Sequence, residues 1–110
     1  MNKVERYLNK DGKVGVLISI GFGAGWSTWN RNVEEFLLFD SGLVQLALEQ
    51  ASEDEVQEYI DSLVDETHVY TGGWEDIGVV WLDPGTEFKV EEYDGSESLR
   101  YRDGNDWMSA

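Results

Sequence analysis

The chain has 110 residues, with 23 Asp or Glu against 8 Lys or Arg, a net charge of −15, 41% hydrophobic and 13% aromatic residues, and no cysteine. That length fits one domain, residues 1–110, and the apolar and aromatic content is too high for a disordered acidic tail. A charge of this sign repels nucleic acid and anionic membrane, and the lack of cysteine excludes disulfides, thiolate metal sites and thiol nucleophiles.

Taken in chain order, residues 4–8 and 13–20 are predicted to pair as a β-hairpin around Asn9-Lys10-Asp11-Gly12. A glycine-rich loop, Gly21-Phe22-Gly23-Ala24-Gly25-Trp26, follows and leads through Trp29 into helical periodicity. Short helices are expected over 33–39 and 41–51. A third runs from a Ser52/Glu55 capping box to about residue 65. In the third, Val56, Tyr59, Ile60, Leu63 and Val64 fall on one face, and Asp54, Glu58, Asp61 and Asp65 on the opposite one. From residue 77 the pattern is β again. Strands are expected at 77–82, 87–93 and 96–102, joined by turns at Asp83-Pro84-Gly85-Thr86 and Asp94-Gly95. The expected class is α+β: an N-terminal hairpin and a C-terminal three-stranded meander form a mostly antiparallel sheet, with two or three short helices packed on one face. Placing all five strands in one sheet is favoured because it buries more than two separate pieces. The polar N-terminus and the lack of a long apolar run predict a cytoplasmic protein without a membrane span or signal peptide.

The charge is unevenly distributed. Residues 32–88 hold 15 carboxylates and no Lys or Arg, whereas the acidic and basic residues of the flanks cancel, so the whole net charge of −15 lies in that half of the chain. A field this one-sided attracts basic surfaces before contact. Carboxylates three or four residues apart on the third helix step about 4.5–6 Å along its axis, comparable to the spacing of phosphates on a nucleic-acid strand. Ordinary solvated helices intersperse both signs, and this one does not. The candidate partner-binding residues are Glu53, Asp54, Glu58, Asp61 and Asp65, with Glu34, Glu35 and Glu49 extending the patch.

The glycine loop supports a different reading, a small-ligand or nucleotide pocket built from Phe22, Gly23, Gly25, Trp26 and Trp29. Arg31, Arg100 or Arg102 would supply positive charge. Its glycine spacing is not G-x-G-x-x-G, and it has no Walker lysine. A third reading makes the loop a purely structural passage beside the tryptophans. No catalytic constellation stands out. His68 is the sole histidine; Ser27, Thr28 and Asp40 have no histidine at supportive spacing; adjacent pairs such as Glu34/Glu35 and Glu91/Glu92 point to different sides. The segments 94–97 and 103–106 lack the ligand pattern of a calcium loop. No catalytic residue, metal site or cofactor is assigned.

The blocks GFGAGWSTWN (21–30), LLFD (37–40), YTGGWEDIGVVW (70–81) and PGTEFKVEEYDGSES (84–98) resemble a widespread group of small uncharacterised bacteriophage proteins, from about Val14 to Arg102. The resemblance implies a chain made in the cytoplasm of an infected bacterium, and it brings no activity, ligand or site residue. Size and charge together suggest a non-enzymatic inhibitor of a basic, nucleic-acid-handling host defence protein, binding neither nucleic acid nor membrane directly. Two alternatives stay open, a ligand sponge using the Gly/Trp loop and a structural or regulatory phage protein whose acidity serves solubility. Exposed tryptophans would allow a homodimer under any of the three.

Overall fold

In a computed structural model, residues 4–64, 69–101 and 108–110 are described. They form an α+β structure with strands β1 (Val14–Ser19), β2 (Ile77–Leu82), β3 (Glu87–Tyr93), β4 (Ser96–Tyr101) and β5 (Met108–Ser109), and helices α1 (Glu34–Phe39), α2 (Ser41–Leu48) and α3 (Glu53–Leu63). Among the described residues no helix is long and apolar enough to cross a membrane.

The strands divide into two sheets, β1-β2 and β4-β3-β5, rather than the single sheet favoured from sequence. The N-terminal hairpin is reduced to its turn. Asn9 accepts from Gly12 N and donates to Lys13 O, but residues 4–8 contribute only isolated bridges, Leu8 to Val14 and Arg6 to Asp40. The ladder partner of β1 is β2, antiparallel, with Val14 opposite Leu82 and Ser19 opposite Ile77. The expected three-stranded meander is corrected in the same way, because β2 leaves it and β5 takes the third place, against β3.

The physical reason is burial on both faces. Every residue of β1 is buried. Leu17 joins the helical core with Leu43, Val44, Val56 and Ile60, while Val14, Val16 and Ile18 join a second core with Phe39, Phe88 and Val90. A strand buried on both faces needs a neighbour that is apolar on both faces as well. The sequence IGVVWL of β2 supplies one, with Ile77, Val79 and Trp81 against the helical core and Val80 against the other. Residues 4–8, with Glu5 and Arg6 in their midst, do not.

The helices follow the predicted pattern closely. Asp40 caps α2, its Oδ2 accepting from Leu43 N at 3.1 Å. Ser52 and Glu55 form the capping box that opens α3. Helix α2 ends in a left-handed Gln50 (φ 57), with Ala51 N donating to Leu46 O. On α3, Val56 and Ile60 are buried as expected, but Leu63 is 48% exposed. The β3-β4 hairpin turns at Asp94-Gly95, both with positive φ (50 and 88). Two left-handed residues in succession are what a two-residue hairpin turn demands.

Candidate partner-binding face and the glycine loop

Helix α3 presents Asp54, Glu58 and Asp61 to solvent, opposite its buried Val56 and Ile60. At 100° per residue these three fall within one narrow stripe. None is in an ion pair; the three ion pairs between described residues join Lys13 to Asp83, Arg31 to Glu34 and Arg100 to Glu91. Asp61 accepts from the Gln57 amide at 3.0 Å, a neutral donor that fixes the side chain without cancelling its charge. Asp65 lies outside the described residues, as do His68, Arg102 and Trp107.

The remaining acidic candidates are arranged differently. Glu53 is half-buried on the flank of α3, and its Oε2 accepts from the Thr71 hydroxyl at 2.8 Å. It therefore looks toward the core margin rather than along the stripe. Glu34 is ion-paired with Arg31, which removes it from an unneutralised patch. Glu35 is exposed in the first turn of α1, and Glu49 at the end of α2 accepts from Gln45 Nε2 at 2.9 Å. No described hydrogen bond or ion pair links Glu34, Glu35 or Glu49 to α3.

The glycine loop carries the feature that sequence reasoning missed, Glu97. Only 3% exposed, its carboxylate accepts four hydrogen bonds from the segment it faces. Oε1 accepts from Ser19 N at 2.9 Å. Oε2 accepts from Trp26 N at 2.7 Å, Thr28 N at 3.1 Å and Thr28 Oγ1 at 2.6 Å. Converging backbone N–H groups are what a phosphate would find in a glycine-rich loop, and here the chain supplies its own anion to accept from them. The pairing Glu92 to Glu97 and Val90 to Leu99 shows how Glu97 gets there: it shares the inward face of the hairpin with the core residue Val90.

Its cross-strand neighbour Glu92 is exposed and grips the loop from outside, accepting from Gly95 N at 2.8 Å and Trp29 Nε1 at 3.2 Å. The Gly95 N–H first, then the Trp29 indole, and also the Arg31 charge, hold its carboxyl below the usual carboxylate range. The close approach is completed at Gly95, where a Cβ would drive into the Ala24 nitrogen, and by Gly23 N donating to Asp94 O at 2.6 Å.

For the ligand reading, these contacts correct the place given to Trp26. Trp26 is fully buried, its Nε1 donating to Leu37 O at 2.8 Å and its ring 5.6 Å from that of Trp74, so it offers no face to a ligand. Gly25 is buried against Trp29, and Arg31 is engaged by Glu34. Gly23, Phe22 (68% exposed) and Trp29 (44% exposed, stacked on Tyr70) remain at the surface. Two of the groups considered for catalysis have structural partners: Thr28 serves Glu97, and Asp40 accepts from Tyr59 Oη at 2.6 Å as well as capping α2. The Ser27 hydroxyl is buried without a hydrogen-bond partner among the described residues. Those residues contain no group of three or more His, Cys, Asp or Glu arranged to hold a metal ion.

A cavity of ≈ 420 Å³ opens where the α2-α3 turn meets a 3₁₀ turn at Gly72–Asp76. Ala47, Ala51, Trp74 and Ile77 are its apolar lining residues, and Gln50, Glu53 and Glu75 its polar ones.

Comparison with known proteins gives no match: no family model, no curated protein and no solved structure is significantly similar to the chain.

Proposed function

We propose that this chain is a non-enzymatic interaction protein that binds and blocks a basic, nucleic-acid-handling protein through the outer face of α3. The observation that carries the reading is the stripe Asp54, Glu58 and Asp61, exposed on a helix whose opposite side is locked into the core and free of ion pairs among the described residues. A rigid helix places successive carboxylates about 4.5–6 Å apart, a spacing that Lys and Arg groups built to hold phosphates can accept. With no Lys or Arg between residues 32 and 88, the field at this face is not cancelled from within its own segment. In the setting that the phage resemblance implies, the target is a host protein, a defence nuclease being one example of the class.

The test is capture from a bacterial lysate with wild type and with the double variant Glu58→Lys/Asp61→Lys, followed by competition with duplex DNA. The expected result is a basic protein that is retained at low salt, released at high salt, lost with the double variant and displaced by DNA. Retention that is indifferent to salt and to charge reversal would exclude mimicry. The ligand-sponge reading receives no such support, because Glu97 already takes the Trp26 and Thr28 amides and Trp26 is enclosed.

A further inference from the structure

The ≈ 420 Å³ cavity is in the size range of small-ligand sites, and its chemistry is divided. Ala47, Ala51, Ile77 and Trp74 give it apolar walls, and the indole is fixed in place because its Nε1 donates to Ala51 O at 2.8 Å. Glu53 is likewise pre-positioned, one of its oxygens held by the Thr71 hydroxyl, and Thr71 is itself buried. Glu75 is exposed, and its carboxylate has no hydrogen bond or ion pair with another described residue. An anionic ligand would meet two carboxylates. A neutral apolar ligand would leave both unused. A cation on an aliphatic stem satisfies both parts, with methylenes along the apolar residues and the charged head toward the acidic ones.

We infer that this cavity receives a lysine or arginine side chain projecting from the partner protein. The inference rests on the acidic-face reading and deepens it, because Glu53 belongs both to the cavity and to α3. A partner that covers the stripe and reaches round the Glu53 flank of α3 would be held at two kinds of place. The stripe supplies long-range, salt-sensitive attraction, and the open cavity supplies one localised contact for a single basic residue.

The experiment is calorimetric titration of the full chain with the peptide acetyl-(Gly-Arg)4-amide at low and high salt. Wild type is compared with Ala47→Met, which fills the cavity without changing charge, with Glu75→Gln, and with Glu58→Lys/Asp61→Lys. The expected result is that Ala47→Met and Glu75→Gln each weaken binding about fivefold or more, with the salt dependence unchanged in Ala47→Met. Glu75 is exposed, so its variant remains informative if Ala47→Met disturbs packing. Wild-type affinity in Glu75→Gln and in a folded Ala47→Met would overturn the cavity assignment while leaving the face reading standing if the double reversal still weakens binding. Loss in the cavity variants with an indifferent double reversal would support the cavity and remove the face reading. Binding of agmatine as tight as that of the peptide would assign the cavity to free amines and overturn the protein side chain as its occupant.

Discussion

Two sets of carboxylates in this chain have opposite fates. Glu97 sits inside, takes four hydrogen bonds and organises the glycine loop. Asp54, Glu58 and Asp61 stand outside on α3 and organise nothing within the described structure beyond one amide contact at Asp61. The same functional group is architecture in one place and potential recognition surface in the other. What separates them is the supply of donors: the chain bordering the glycine loop turns the N–H groups of Ser19, Trp26 and Thr28 inward, where they need an acceptor, while an amphipathic helix consumes its own N–H groups and leaves its acidic side chains for others. Acidity alone therefore does not identify a functional residue, and the donor count around it is the better guide.

That comparison can be broken most forcefully at Glu97. Glu97→Gln replaces one acceptor oxygen by a donor facing N–H groups and should cost about 3 kcal/mol, read as a lower urea midpoint. A stability equal to wild type would show that the loop does not depend on this anion. Next in size, Gly95→Ala places a side chain at φ +88 against the Ala24 backbone and should cost about 2 kcal/mol by the same measurement.

Asp40 sharpens the contrast, since it comes from the acidic half of the chain yet is internally bound. Tyr59→Phe removes its phenol donor and should cost about 1 kcal/mol. Burial, and then the hydrogen bond and charge of Asp40, raise the Tyr59 phenol above its ordinary value. The sign follows from linkage. The unfolded chain ionises near pH 10 while the folded chain still holds the proton, so this contribution is intact below about pH 10 and is lost as pH rises beyond it. Wild type should accordingly lose stability more steeply than Tyr59→Phe in alkaline denaturation series.

Much of this architecture was legible in the sequence, and the failures share a cause. Helix α3, its capping box, the Asp94-Gly95 hairpin and the alternation of β3 depend on neighbours a few residues away, which periodicity and turn chemistry read well. The partner of β1 was misplaced because Asp11-Gly12 does form a turn, but burial of β1 on both faces, a long-range condition, selects β2 instead of residues 4–8. Glu97 was hidden for the same reason. Its donors are 69 to 78 residues away in sequence, and the local string Asp94-Gly95-Ser96-Glu97 reads only as a turn. One signal was available: turning backbone leaves N–H groups that need an acceptor, and an acid on a neighbouring strand can supply it. On the candidate face, spacing located the stripe, but only the folded chain separates Asp54, Glu58 and Asp61 from Glu53, held by Thr71, and Glu34, paired with Arg31.

The smallest expected effect on stability belongs to the outer stripe, and it is there that the account is most exposed. Glu58→Lys/Asp61→Lys should leave the urea midpoint within about 0.5 kcal/mol of wild type, because exposed charges contribute little to folding. The decisive measurement is the salt dependence of the dissociation constant for the captured basic partner, determined for wild type and this double variant side by side. The account predicts weaker binding and a shallower dependence on salt in the variant. An unchanged constant with an unchanged salt slope would contradict it.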